Sequence, residues 1–93
     1  MVIQHQDNGK NGKFYVEVAE VSEAEMTYLW SGEQRIIIDH TEVSDVLRGQ
    51  QVGKQLVQAA VDFAREKQIK ILPLCPFANA VFKKTPDFQD VLF

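Results

Sequence analysis

Residues 41–60, TEVSDVLRGQQVGKQLVQAA, decide the fold, because an extended apolar segment ends here, a short arginine-glycine loop follows and a long amphipathic helix begins. A loop of this kind leaves several backbone N–H groups without helical partners, and these groups point the same way. The helix dipole adds positive potential at the same place. The stretch therefore predicts an anion site for the phosphate or pyrophosphate of a nucleotide-like cofactor.

The segments after this loop predict a helix, a strand and a second helix. Helical spacing extends over about residues 51–68, and a short buried strand is expected over residues 69–74. The apolar positions that share one face of the first helix are Val52, Leu56, Ala59, Ala60, Phe63 and Ala64. Pro76 suits the first position of a second helix that runs to about Lys84, because its missing N–H needs no partner there. The apolar tail, residues 87–93, is expected to dock on the core.

The N-terminal half predicts a meander of three or four antiparallel strands. Residues 7–13 contain two Asn-Gly pairs, either of which can form a tight hairpin turn, and short apolar runs flank them at residues 2–3 and 14–16. Alternating apolar residues predict a strand over 24–30, and the β-branched run at 35–43 is long enough for a central strand. The element order is thus β-β-β-β-α-β-α, an α+β fold. Ligands of such sheets gather at the carboxyl ends of the parallel strands.

Length and composition limit the class of protein. A chain of 93 residues forms one domain, 1–93, and its net charge of −3 argues against general binding to nucleic acid. Cys75 is the single cysteine, so no disulfide within the chain is possible and a reducing compartment is favoured. The first residues lack the pattern of a signal peptide, and no apolar run approaches the length of a membrane span. These features predict a cytoplasmic protein with no membrane partner, either a monomer or a homodimer.

Residues 40–84, HTEVSDVLRGQQVGKQLVQAAVDFAREKQIKILPLCPFANAVFKK, resemble the GNAT acetyltransferase superfamily, and more closely its short, single-domain members. The cofactor signature of the superfamily is Gln or Arg, two residues, Gly, one residue, then Gly or Ala, and it aligns with residues 48–53. The resemblance implies acetyl-CoA as the cofactor, with its pyrophosphate on the loop amides and its pantetheine between two splayed parallel strands. The cofactor-binding residues expected on this basis are Val43, Arg48, Gly49, Gln50, Gln51, Val52, Gly53, Lys54 and Asn79.

Three features depart from the pattern of the superfamily. Gln51 occupies the place of the first glycine, where a side chain could crowd the phosphates or disfavour a positive φ. Phe82 stands where many of these enzymes carry a tyrosine that protonates the leaving thiolate of CoA. Full-size members also carry N-terminal helices that shape the acceptor site, and no helix is predicted before Gln51. The acceptor pocket is therefore expected to be open or supplied by a partner.

Cys75 has two interpretations, which the sequence leaves open. It lies between a buried strand and a helix that begins at Pro76, and a helix N-terminus stabilises a thiolate. Such a thiolate could take the acetyl group from CoA before passing it on. An unpaired cysteine is also among the most buried residue types, so Cys75 could simply fill the end of the strand. The local sequence favours this second interpretation, whereas the resemblance, through the recurring LCPF pattern, gives the first equal weight.

Three further residues are candidates for the site, each with a structural alternative. His40, near the end of the central strand, could act as a general base, or it could be a partly buried, hydrogen-bonded histidine that shares a face with Ile36 and Ile38. Glu42 could serve as a base or hold a water if a β-bulge, frequent at this point in the superfamily, turns it toward the cleft, but a surface carboxylate is more usual. Asn79 could bind cofactor or substrate, or simply lie on the surface.

The function predicted from these features is acetyl transfer from acetyl-CoA to a small-molecule or protein amine, either directly or through Cys75. The alternative is a module or accessory subunit that binds CoA or acyl-CoA without turnover, suggested by Gln51, Phe82 and the missing acceptor helices. A third interpretation is a small interaction protein whose loop binds nothing. The sequence does not identify the acceptor.

Overall fold

The computed structural model describes residues 2–93 and contains a five-stranded sheet whose strands lie side by side in chain order. The strands are β1 (Gln4–Asp7), β2 (Asn11–Val18), β3 (Val21–Trp30), β4 (Arg35–Val43) and β5 (Lys70–Pro73). The α-helices are α1 (Val52–Lys67) and α2 (Pro76–Lys84), and short 3-10 helices span Asp45–Leu47 and Pro86–Val91. Strands β1 to β4 pair antiparallel, whereas β5 lies parallel to β4. The predicted α+β fold and element order are confirmed.

One face of the sheet forms the core together with α1. Alternate residues of the central strands are buried on that face: Phe14, Val16, Ala24, Met26, Tyr28, Ile36 and Ile38. The buried stripe of α1 includes Leu56, Val57, Ala60, Val61 and Ala64. Ala59 and Phe63, which the sequence places within the stripe, lie at its edge and are half-buried. Helical spacing predicted the position of α1 correctly. The buried stripe is centred differently from the prediction, because α1 packs against the sheet through Val57 and Val61 rather than through Ala59 and Phe63.

The first strand differs from the sequence prediction. It begins at Gln4 rather than at the apolar pair of residues 2–3, and Val2 is exposed. The polar strand is stable because its side chains have partners on β2 and β3. The imidazole of His5, for example, stacks on the ring of Phe14 with 4.1 Å between centroids. Polar strands of this kind carry no alternating apolar signal, so the sequence pattern missed it.

Asp7 ends β1 and ties it to β3 through two aromatic side chains. The Tyr28 hydroxyl donates to Asp7 Oδ2 at 2.5 Å, and Trp30 Nε1 donates to the same oxygen at 2.9 Å. His5 Nε2 lies 2.6 Å from the Tyr28 hydroxyl. Since that hydroxyl gives its hydrogen to Asp7, its oxygen accepts a hydrogen from Nε2 of a neutral or charged His5. These four side chains, called the Asp7 network below, fix the edge of the sheet opposite to β5.

Acid should destabilise the protein through the Asp7 network. Burial among aromatic rings lowers the pKa of His5, although the charge of Asp7 opposes this. Burial raises the pKa of Asp7, but hydrogen bonds from Tyr28, Gly9 and Trp30 outweigh it and hold that pKa below its usual value. A lowered pKa in the folded state means that the unfolded chain binds protons first, so stability is present above the unfolded pKa of each group and is lost as pH falls.

We expect a lower free energy of unfolding at about pH 5 than at about pH 7.5, measured by urea denaturation. A histidine of the unfolded chain gains its proton within this window, whereas the lowered pKa of His5 opposes this gain in the folded protein. A His5→Asn variant should lose less stability over the same interval. Equal losses in the two proteins would show that His5 does not carry the effect.

The C-terminal tail docks, as the sequence predicts. Phe88 and Val91 are buried, and the N–H of Phe93 donates to the carbonyl oxygen of Ile71 at 2.9 Å, alongside β5. Within residues 2–93, no helix has the length and apolar content needed to cross a membrane.

Candidate functional site

The site begins where β4 and β5 stop pairing. Their parallel register ends at Ile38 and Pro73, and the carbonyl oxygen of Ile38 accepts the N–H groups of both Leu74 and Cys75 at 3.0 Å. From there β5 turns into α2, whereas β4 continues to Val43. In the described part of the chain, the last residues of β4 therefore have a partner strand on the β3 side only. This open backbone edge lies beside the first turn of α2.

A β-bulge decides which side chains of β4 face Cys75. Thr27 pairs with His40 but Tyr28 pairs with Ile38, so Asp39 is an extra residue between them. Beyond the bulge the alternation is shifted by one residue, and Thr41 rather than His40 lies on the Cys75 side. The expectation that His40 shares a face with Ile36 and Ile38 is therefore wrong, because the strand is not regular.

His40 and Glu42 lie on the exposed side of β4. Their side chains are 60% and 75% exposed, and His40 Nε2 lies 3.6 Å from Glu42 Oε2. The predicted partly buried histidine is thus not observed, whereas Glu42 is the exposed carboxylate that its residue type favours. The bulge expected at this point is present, but it turns neither side chain toward Cys75.

Cys75 is buried between β4 and the start of α2. Its side chain is 5% exposed, and Sγ lies 3.3 Å from Oγ1 of Thr41. Cys75 is the N-cap residue of α2, and Pro76 occupies the first turn as the sequence predicts. Burial raises the pKa of the thiol, but hydrogen bonds from the Thr41 hydroxyl and from the backbone N–H groups of Ala78, Phe77 and Thr41 outweigh it. The net effect lowers the pKa of Cys75, which favours the nucleophilic thiolate.

The loop between β4 and α1 presents free backbone N–H groups. Gln51 adopts a left-handed conformation (φ 54°, ψ 36°) and makes no side-chain capping hydrogen bond, so α1 begins at Val52 rather than at residue 51. Among the residues that the structure describes, the N–H groups of Val52, Gly53 and Lys54 have no protein acceptor. Three adjacent donors at the positive end of a helix of this length fit a phosphate or pyrophosphate.

A depression of about 460 Å³ lies against this loop. Its walls are Gly49, Gln50, Gln51, Lys54, Gln55 and Gln58. Glutamine amides and the ammonium group of Lys54 thus line the depression, and such groups can donate to phosphate oxygens. Arg48, the first residue of the cofactor signature, is exposed and pairs with Asp45 at 2.5 Å.

Gly53 joins the loop to the Cys75 region. A Cβ atom at this position would overlap the ring of Phe77, which is 43% exposed and lies two residues after Cys75. Only glycine lets α1 and α2 approach this closely at their N-termini. The contact places the N-terminus of α1, with its free N–H groups, against the first turn of α2, whose N-cap residue is Cys75.

The effect of Gly53→Ala on the free energy of unfolding should depend on the residue at position 77. The substitution should destabilise the wild-type protein and stabilise a Phe77→Ala protein. In the wild-type background, overlap with Phe77 costs about 1–3 kcal/mol, which exceeds the gain of up to about 1 kcal/mol from the better helix propensity of alanine. In a Phe77→Ala background the overlap is gone, so Gly53→Ala should stabilise the protein. Urea denaturation of the two single variants and the double variant tests this, and additive effects would contradict the contact.

Two other predicted site residues lie away from the loop. Asn79 is half-buried, and its Nδ2 donates to the carbonyl oxygen of Pro73 at 3.3 Å. It lines a separate depression of about 390 Å³ together with Phe82 and Lys83. The ring of Phe82 is buried against Phe88, with 5.9 Å between centroids. The N-termini of α1 and α2 thus meet at Gly53 and Phe77, whereas the side chain of Asn79, one turn further along α2, faces a different depression.

Sequence reasoning missed two residues of the site, Thr41 and Phe77. Thr41 reaches Cys75 only because of the bulge, which has no sequence signal of its own. Phe77 belongs to the LCPF pattern, but its contact with Gly53 is a tertiary contact between two helices.

Comparison with known proteins identifies the family. The model of the GCN5-related N-acetyl-transferase family matches residues 13–91, which span both the free amides of α1 and Cys75. The chain belongs to the GCN5-related N-acetyltransferase family. The family assignment made from residues 40–84 is therefore confirmed, and it extends over nearly the whole sheet.

Individual relatives agree with this assignment. The chain is 33% identical to Protein NATD1 of Xenopus tropicalis over 63 residues, 68% of this chain and 58% of that protein. It is 31% identical to Protein NATD1 of Gallus gallus over 85 residues, 90% of this chain and 77% of that protein. A GCN5-like protein from Staphylococcus aureus, solved by NMR, is 37% identical and superimposes with a TM-score of 0.73 over 97% of this chain and 87% of that one. The chain thus spans less than two thirds of the Xenopus relative.

Proposed function

We propose that this member of the GCN5-related family transfers the acetyl group of acetyl-CoA to an amine, with Cys75 as the group that first accepts it. One observation carries the proposal. The contact between Gly53 and Phe77 places the start of α1, with its free N–H groups, against the first turn of α2, which begins after Cys75. An anion cradle beside a nucleophile is the arrangement that a phosphate-bearing acyl donor requires.

The residues of the loop would hold the pyrophosphate of CoA. Val52, Gly53 and Lys54 offer backbone N–H groups, and Lys54 adds its exposed ammonium group. Gln50 and Gln51 line the same depression with their amides. The open edge of β4, which ends at Val43, offers backbone groups for the amide-containing pantetheine arm. Arg48 and Gly49 shape the loop, where Gly49 supplies a φ of +84°.

The first chemical step would be carried out by Cys75. Its thiolate forms a C–S bond with the carbonyl carbon of the thioester, and the bond from that carbon to the sulfur of CoA breaks. The leaving CoA thiolate takes up a proton from solvent, because Phe82, buried against Phe88, has none to give. The acetyl group is then a thioester of Cys75, and no oxidant or reductant is involved.

The second step would pass the acetyl group to the amine. The amine nitrogen forms a bond with the acetyl carbon, the C–S bond to Cys75 breaks and the thiolate is regenerated. The nitrogen loses one proton to solvent, because the side chains of His40 and Glu42 point to the exposed side of β4, away from Cys75.

Phe82 favours a second candidate function, a module that binds acyl-CoA without turnover. No proton donor occupies its position, and the ring is part of the core. Binding of CoA measured by calorimetry, followed by a turnover assay on small amines and lysine-containing peptides, separates the two functions. Acetyl transfer to any of these acceptors supports the enzyme. Binding without transfer supports the module, and no binding at millimolar CoA rejects both.

A further inference from the structure

Thr41 is the polar side chain in contact with the sulfur of Cys75. Its Oγ1 lies 3.3 Å from Sγ, and it reaches this position because the extra residue Asp39 shifts the alternation of β4. Thr41 is half-buried, and its neighbours His40 and Glu42 point to the exposed side. In a regular strand His40 would face the thiol. Because of the bulge, the hydroxyl of Thr41 faces it instead.

We propose that Thr41 is a positioning residue for Cys75, whose hydroxyl holds Sγ at the open edge of β4 and donates a hydrogen bond to the thiolate. The proposal rests on the proposed role of Cys75 as acetyl acceptor and adds to it the residue that prepares the nucleophile. In the protonated state the thiol donates to Oγ1, whereas in the thiolate state the hydroxyl rotates and donates to sulfur. The contact is kept in both states, so the sulfur does not move when it loses its proton.

The other groups around the sulfur do not offer a contact that adapts to both the thiol and the thiolate, as the Thr41 hydroxyl does. The backbone N–H groups of Ala78, Phe77 and Thr41 also lower the pKa of the thiol, but they are fixed by the fold and cannot respond to its protonation state. The charged groups on β4, β5 and α2 are Arg35, Asp39, His40 and Glu42 on β4, Lys70 on β5, and Lys83 and Lys84 in the last turn of α2. Asp39 accepts a hydrogen bond from the Thr27 hydroxyl. Lys70 donates to the carbonyl oxygen of Asp90, and His40 and Glu42 pair with each other. Hydrogen bonds and burial, rather than a neighbouring cation, thus set the state of the thiol.

Valine and serine at position 41 test this contact. Thr41→Val keeps the branched shape and removes the hydroxyl, whereas Thr41→Ser keeps the hydroxyl. The ultraviolet absorbance of the thiolate is followed against pH in each protein, and the titration of a Cys75→Ser protein is subtracted to remove the tyrosines. We expect the thiol of the valine variant to titrate about one pH unit higher than wild type, the size expected for one hydrogen bond to a charged group. The serine variant should titrate close to wild type.

A valine variant that titrates like wild type would overturn the proposal, as would a serine variant that shifts as far as valine. Thr41→Ala, which also lacks the hydroxyl, replaces valine in the comparison should that variant fail to fold. The titration contains no acetyl-CoA, so its result is independent of the proposed reaction. If the valine variant titrates higher but the wild-type protein forms no acetyl-cysteine, the proposed function is rejected and the contact between Thr41 and Cys75 is retained. If acetyl-cysteine forms but the valine variant titrates like wild type, the contact is rejected and the function is retained.

Discussion

Incubation with acetyl-CoA should raise the mass of the wild-type protein by one acetyl group on Cys75, and Cys75→Ser should abolish this adduct. The reason is the environment of the thiol, since hydrogen bonds from Thr41 and from the first turn of α2 lower the pKa of Cys75 despite its burial. A serine hydroxyl in the same place stays protonated at neutral pH and is a poor nucleophile. We therefore expect turnover to fall on the order of a thousandfold or more. Intact-protein mass spectrometry and peptide mapping locate the adduct.

Cys75→Ala provides the matched control for this experiment. It removes the nucleophile without adding a buried hydroxyl, so it should behave like serine in the adduct assay and unfold at a similar urea concentration to wild type. An acetyl group found on the wild-type protein at a lysine instead of Cys75, or an undiminished turnover in both variants, would show that the amine attacks acetyl-CoA directly.

Gly12→Ala should destabilise the protein by about 3 kcal/mol, a large part of the total stability of a small domain. A Cβ atom at Gly12 would lie 2.5 Å from the carbonyl oxygen of Gln6 and 2.5 Å from Cζ and the hydroxyl of Tyr28. Neither can yield easily, because Gln6 is held in the pairing of β1 with β2 and Tyr28 is held by Asp7. Relief of the overlap requires β1 to move away or the Asp7 network to open.

Asn11→Ala is the control for this substitution, because Asn11 is the exposed neighbour on the same strand. Its effect on the free energy of unfolding should stay within about 0.5 kcal/mol. Urea denaturation of the two variants beside wild type gives the comparison. A Gly12→Ala protein as stable as the Asn11→Ala protein would mean that β1 does not pack at this position as described.

The elements that are marked by a regular pattern of apolar residues could be predicted from the sequence. Helical spacing located α1 and α2, and the β-branched run at Arg35–Val43 located the central strand. Each of these signals comes from many residues that bury one face, so a single irregularity does not remove it. The loop between β4 and α1 was located for the same reason, since it lies between two strongly patterned elements.

The parts that depend on one residue or on a distant partner could not be predicted. The resemblance led us to expect a bulge in β4 but not its consequence: the extra residue Asp39 moves Thr41 to the side of Cys75, because a one-residue shift reverses the facing of every later side chain in the strand. The polar strand β1 is stabilised by Tyr28 and Trp30 on β3, which lie far away in the sequence. The contact of Gly53 with Phe77 likewise needs both helices in place.

A titration with CoA followed by NMR tests most directly the claim that the loop and Cys75 form one site. The account predicts that the backbone amides of Thr41, Val52–Lys54, Cys75 and Phe77 shift together and saturate with one dissociation constant. A set of shifts restricted to the lysines at the end of α2, or no shift at millimolar CoA, would contradict it.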